Sequence, residues 1–246
     1  MTMKTSKIFI CGASSKGPQH LQTRTGNQDS YMIKDVPGGK VLVVADGMGS
    51  AKHAKVGSKA ICEAVCESCE IWSKYKKPQL GLLFQMIMTL WYMKISPYSK
   101  SDCGTTCIFV FYRYDGNVIM AQVGDGIIGY KIDENFQILS EKNEEFSNET
   151  RSVGKVTKLS HWNSLTLKIK ANQRFSFFIS TDGVSEDLIP EYREDFLEEL
   201  VKICKNSSSK DRKKKIYKLL KNWPTPRHGD DKTIVIFEKS KYNINN

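Results

Sequence analysis

The sequence has no long apolar run. After residues 1–7 come only four consecutive apolar positions, Ile8, Phe9, Ile10 and Cys11, too few for the apolar part of a secretory signal or for a membrane span. The expectation is a cytoplasmic protein with no membrane partner. Compositional bias is missing too. Apolar residues make up 40% and aromatics 10%, with no internal repeat, which excludes a disordered or fibrous chain. No linker composition interrupts the 246 residues, so one domain over 1–246 is expected. There is no Gly-x-Ser-x-Gly elbow and no cysteine-nucleophile motif, which leaves covalent serine or cysteine catalysis without support. Histidine is scarce: His20, His53, His161 and His228 lack metal-ligand spacing and read as structural or surface residues, His20 least so.

Cysteine is present seven times, an odd number, and without a secretory signal the economical reading is reduced thiols. Cys62, Cys66 and Cys69 recur at helical spacing and read as small core residues of one helix face. A zinc site there would need a fourth ligand, and only His53 lies near in sequence. Acidic side chains are the minority, 27 against 37 basic ones, for a net charge of +10. Between Lys205 and Lys221 eight basic residues face Asp211 alone. That stretch is either a solvated helix face or a dock for acidic or phosphorylated partners. Only Tyr217 and Trp223 offer stacking surfaces within it, which argues against nucleic acid.

Apolar runs at 31–35 and 40–45, separated by Pro37, Gly38 and Gly39, predict a hairpin. Helical periodicity covers about 51–73 and 79–95, with Pro78 between. A second hairpin is expected from 105–113 and 118–123 around Asp115-Gly116, and a third from 127–132 and 136–139. Residues 141–162 read as a long polar surface loop. Strands at 164–169 and 174–180 follow, then helices at about 191–204 and 211–221 and a last strand at 233–237. Hairpin-linked strands with helices in segregated pairs argue for an α+β fold of two stacked antiparallel sheets flanked by helices.

Three apolar strands run directly into Asp-Gly, at Asp46, Asp125 and Asp182. A strand holds its terminal side chain rigidly, and the following glycine lets the chain leave sharply beside a ligand. Asp115-Gly116 shows the same dipeptide serving as a plain turn, so the signal lies in the repetition. A further pair, Asp230-Asp231, precedes the last strand, and Asp29 precedes the first hairpin. Hard divalent cations take oxygen ligands, and a pair of them can activate water and offset phosphoryl charge. The carboxylates therefore point to a metal-dependent hydrolase of phosphate esters.

These residues resemble the metal-dependent serine/threonine protein phosphatases of the 2C type. The matching pieces keep that family's order: Asn27-Gln28-Asp29, Ala45-Asp46-Gly47-Met48-Gly49-Ser50, Gly104-Thr105-Thr106, Val123-Gly124-Asp125-Gly126, Ser180-Thr181-Asp182-Gly183 and Asp230-Asp231-Lys232-Thr233. Phe146-Ser147-Asn148-Glu149-Thr150 is similar to a loop of a compact bacterial branch. The resemblance implies two antiparallel sheets between helix pairs, two Mn²⁺ or Mg²⁺ ions, a phosphorylated protein as substrate and a metal-bridging water as nucleophile. It implies that Asp46 bridges both metals, the Gly47 carbonyl binds one, and Asp182 and Asp230 complete the other's shell. Asp29 would hold metal-bound waters, Asp125 would help with a third, weaker ion, and Thr233 would position the last strand. Arg24 stands where the family often keeps its phosphate-binding arginine, with His20 as the alternative.

Two departures are visible. Met48 occupies the place of a histidine proposed in the wider family to protonate the leaving group, and methionine cannot donate that proton. Gln28 replaces an acid beside the first aspartate, which would weaken one metal. Two rivals follow: a phosphoprotein-binding module that retains the fold without turnover, and a metal-dependent nuclease.

Overall fold

Strands buried along their whole length need cover on both faces, and here they obtain it from a second sheet on one side and helices on the other. The computed structural model describes residues 7–139, 152–224 and 229–241. One sheet contains β1 (Ile8–Ser15), β10 (Lys232–Lys239), β9 (Phe175–Ser180), β6 (Ile127–Ile132) and β7 (Asn135–Ile138), in that spatial order. The other contains β2 (Ser30–Val36), β3 (Gly39–Ala45), β4 (Cys107–Arg113), β5 (Asn117–Val123) and β8 (Asn163–Lys168). All pairings are antiparallel. The expected α+β sandwich of two antiparallel sheets is what forms.

Side chains alternate between the two faces of each strand. Leu42 and Val44 of β3 point between the sheets, toward Phe177 of β9 and Val235 and Phe237 of β10. Val41 and Val43 point outward and are covered by α2 (Ala54–Trp72) and α3 (Leu80–Ile95) through Ile61, Val65, Leu83 and Ile87. On the far side α5 (Arg193–Lys205) and α6 (Ser209–Lys221) cover the first sheet through Leu197, Leu200, Ile216 and Leu220. Two short helices, α1 (Pro18–Gln22) and α4 (Asp182–Ser185), sit near the strand ends. Among the described residues no helix is long and apolar enough to cross a membrane.

The three hairpins form as read; Gly116 adopts φ +86° at the β4–β5 turn, a conformation open to glycine. All seven cysteines are buried free thiols, and Cys62, Cys66 and Cys69 lie in the helix–sheet core. Residues 8–15, for which the sequence predicted no element, form a full edge strand paired along its whole length with β10. One expectation changes: the polar loop is not all surface, since its described part, residues 152–162, carries two 3-10 turns and buries Val153 and Trp162. Trp162 stacks on Phe84 of α3 with ring centroids 4.6 Å apart, so tertiary packing overrides the local polarity. Residues 146–150 and His228 lie outside the described residues.

Candidate metal centre

Four chain segments deliver carboxylates to one end of the sandwich. Asp29 enters β2, Asp46 leaves β3, Asp182 opens α4 directly after β9, and Asp230 precedes β10. Asp29 is only 2% exposed, and the other three are half-buried. Their charges act on one another: Asp29, Asp182 and Asp230 all raise the pKa of Asp46. Asp125, in the crossing from β5 to β6, joins the group through its effect on Asp182. The five aspartates singled out in the sequence thus lie within electrostatic reach at one end of the sandwich, and among the described residues the group whose ligand atoms all lie within 4.8 Å of one another is His20, Asp230 and Asp231.

Backbone and hydroxyl contacts hold this end in place. The Asp46 N–H donates to Thr106 Oγ1 at 2.9 Å, and its carbonyl accepts from Thr105 Oγ1 at 2.7 Å and the Thr106 N–H at 2.8 Å. Thr181 Oγ1 donates to Asp29 Oδ2 at 2.8 Å and accepts from the Thr233 N–H at 3.1 Å, linking the end of β9 and β10 in one sheet to the start of β2 in the other. Gly47 must lack a side chain, since a Cβ would stand 2.6 Å from the Ala54 carbonyl oxygen and 2.9 Å from that of Gln28. Lys55 of α2 donates to the Asp29 carbonyl, and to Ser30 Oγ at 3.1 Å.

Asp231 is a residue whose role the sequence did not reveal. It is 1% exposed; its Oδ1 accepts from the Gly17 N–H at 2.8 Å, and its Oδ2 from the Gln28 N–H at 2.6 Å. The same Oδ2 lies 2.9 Å from His20 Nδ1. Asp231 therefore fastens the segment carrying residues 17–28 to β10. Its only signal in the sequence was its place beside Asp230. Thr181 and Lys55 were likewise missed as supports, and Lys55 had no signal beyond a position on a helix.

The electrostatics of the cluster call for positive charge. Burial, with Asp29, Asp182 and Asp230 nearby, pushes Asp46 up to about 10. Burial pushes Asp29 up to about 7 against the hydrogen bonds that favour its charged form, and burial with Asp230 pushes Asp182 up to about 6. Asp29 Oδ1 and Gln28 Oε1 are buried without a hydrogen-bond partner among the described residues. An all-oxygen set of mutually repelling carboxylates with unsatisfied acceptors fits hard divalent cations.

Arg24 is exposed, with φ +57°, and among the described residues no hydrogen bond or ion pair ties its guanidinium to the carboxylates. Met48 lines the same end, its N–H donating to the Gly104 carbonyl at 3.0 Å.

Replacing Thr181 by valine keeps the volume and removes the hydroxyl that pairs Asp29 and Thr233. The expected cost is about 1–3 kcal/mol, since both partners are left buried and unsatisfied. Urea titration should show a lower midpoint at unchanged slope. An unchanged midpoint would mean that this hydroxyl bridges nothing.

An antiparallel sandwich between helix pairs, with carboxylates gathered at its strand ends, defines a metal-dependent phosphatase architecture. The chain belongs to the protein phosphatase 2C family, whose model matches residues 16–221. That match includes Asp29, Asp46, Asp125 and Asp182 and stops before Asp230. Among solved structures, a bacterial serine phosphatase is similar with a TM-score of 0.65 and 16% identity, over 97% of this chain and 99% of that one. The catalytic domain of the serine threonine protein phosphatase PstP, in complex with 2 manganese ions, gives a TM-score of 0.59 at 15% identity, over 96% and 100% of the two chains. RsbX in complex with magnesium gives 0.56 at 16% identity, over 97% and 98%. At such identities the likeness concerns the fold. No curated protein sequence matches the chain.

Proposed function

We propose that this chain hydrolyses phosphoserine and phosphothreonine in proteins, with Asp46, Asp182, Asp230 and the Gly47 carbonyl as the seat of two divalent cations. The meeting of carboxylates from four strand ends, with raised affinities for positive charge, is the observation that supports it. Manganese and magnesium, the ions named with PstP and RsbX, are the proposed cofactors, and Asp125 is proposed to help with a third, weaker ion. When bound, such ions lower the pKa of a water molecule and offset charge on the phosphoryl group.

The chain's own residues supply orientation. Asp29, held by Thr181, is proposed to orient water through Oδ1, which has no hydrogen-bond partner among the described residues. Arg24 is free to meet the phosphate, and its planar fork suits two phosphate oxygens. A contact from His20 would use Nε2, because Nδ1 is engaged by Asp231. Met48 offers no proton to the leaving alkoxide, so that proton comes from elsewhere. One domain over residues 1–246 is the proposed unit. A cytoplasmic setting suits its seven free thiols, and an acidic stretch of the phosphoprotein is proposed to meet the segment from Lys205 to Lys221.

The test is phosphate release from p-nitrophenyl phosphate and from a phosphopeptide. Turnover should depend on added Mn²⁺ and stop with a chelator. Metal binding without turnover would reassign the chain as a phosphoprotein-binding module, and absence of both would remove the proposal.

A further inference from the structure

The basic excess on α6 has a direction. Lys210, Lys213, Lys214 and Tyr217 follow the i, i+3, i+4, i+7 spacing of one helix face, while Ile216 and Leu220 on the adjacent face anchor the helix against β1. The first four residues line a cavity of about 530 Å³ whose other wall is Ala13 and Ser14 of β1 and Tyr31 of β2. β1 and β2 are edge strands, one in each sheet, so the cavity is a groove along a side of the sandwich with α6 beside it. The Tyr31 ring lies against Gly12, where a Cβ would stand 2.6 Å from it, and the Tyr217 ring is 44% exposed.

The three lysines are uncommitted. Lys205 is held by Glu238 at 2.8 Å, Lys215 by Ser207 Oγ at 2.9 Å, and Arg212 lies 4.8 Å over the Phe9 ring. Among the described residues no carboxylate pairs with Lys210, Lys213 or Lys214. The groove also abuts the metal centre. Ser14 Oγ accepts from Thr233 Oγ1 at 2.7 Å and from Asn27 Nδ2 at 2.8 Å, and Asn27 Oδ1 accepts the Asp29 N–H at 2.9 Å.

We propose that this groove docks an acidic segment of the phosphoprotein substrate, one that flanks the phosphorylated residue and runs from the carboxylate centre along β1 beside α6. The proposal rests on the phosphatase reading above. Lys213 and Lys214 stand three and four positions after Lys210, where Cβ atoms on a helix are about 5–6 Å apart, and their three ammonium groups suit the carboxylates of an extended acidic peptide. Two tyrosines give it amphipathic walls. Single-stranded nucleic acid would use the same tyrosines for stacking, but nothing in the carboxylate centre next to the groove attracts a polyanionic backbone without metal.

The experiment compares the full chain with a Lys210→Glu, Lys213→Glu, Lys214→Glu variant. Turnover of p-nitrophenyl phosphate with Mn²⁺ should be equal in both. With phosphopeptides of equal length, the native chain should show a KM about tenfold lower for the acidic one than for the neutral one, and the variant should lose that preference at unchanged kcat. Separately, in chelator, the unphosphorylated acidic peptide should bind the native chain by fluorescence anisotropy, weaken with salt, and not bind the variant. Binding without turnover by the native chain would sink the phosphatase reading and leave the groove standing. Equal KM values for both peptides, a preference retained in the variant, or tighter binding of an RNA oligonucleotide than of the acidic peptide would overturn the docking proposal. If charge reversal unfolds the chain, the Lys→Gln triple at the same positions carries the same test.

Discussion

Asp46→Asn is expected to lower metal-dependent phosphate release by about 10²–10⁴-fold, the loss that follows when several kcal/mol of transition-state charge stabilisation is removed. The substitution is isosteric, so the end of β3 keeps its hydrogen bonds, which run through the Asp46 backbone to Thr105 and Thr106. What disappears is the charge to which Asp29, Asp182 and Asp230 are all opposed. The variant should therefore show a second, opposite signature. Without metal it should melt higher than the native chain at neutral pH, because the buried Asp46 carboxyl must keep a proton that the unfolded chain releases, a cost asparagine does not carry. Activity assays and metal-free melting curves check the two halves. Native-level turnover would remove Asp46 from the proposed ligand set.

Metal should also govern stability, and pH should govern the size of the effect. The raised pKa values of Asp182, Asp29 and Asp46, about 6, 7 and 10, mean that the native state keeps protons which the unfolded chain releases near pH 4. The stability from those protons is fully present below about pH 4 and is lost as pH rises through the native values. The metal-free chain should thus weaken from mildly acidic to alkaline pH. Cations compete with the same protons, so their affinity should rise over the same interval. At a hundredfold excess over Kd, Mg²⁺ or Mn²⁺ should add about 2.7 kcal/mol, roughly 5–10 °C in Tm for a chain of this size. At one fixed metal concentration the gain should be larger at about pH 8 than at about pH 6. A gain independent of pH would mean that the ions bind somewhere other than these carboxylates.

The hairpins and helix pairs were legible because their signals are local: Asp115-Gly116 and Pro37-Gly38-Gly39 mark turns, and helical periodicity spans α2 and α3. The repeated strand-to-Asp-Gly pattern exposed Asp46 and Asp182 for the same reason, since a rigid strand end and a glycine are adjacent in sequence. The strand β1 was not legible. Its residues Gly12, Ala13, Ser14 and Ser15 carry no strand pattern, and they are extended because β10 pairs with them from the opposite end of the chain. Trp162 looked like part of a polar loop, and only Phe84 and Phe109, supplied by α3 and β4, make it a core residue. Asp231 resembled a neighbour of Asp230 until Gly17, His20 and Gln28 were brought to it. Each miss is a contact between residues far apart in sequence, which no window of neighbouring residues reports.

β10 lies between β1 and β9, and Asp230 and Asp231 stand at its entrance. During synthesis this strand leaves the ribosome after every other described element. Until it does, β1 has no strand partner, β9 keeps a bare edge, and residues 17–28 lack the Asp231 carboxylate that receives the Gly17 and Gln28 N–H groups. A nascent or prematurely terminated chain therefore carries Asp29, Asp46 and Asp182 without Asp230 and without the Thr233 N–H that braces Thr181, so the carboxylate set is completed only by the last strand.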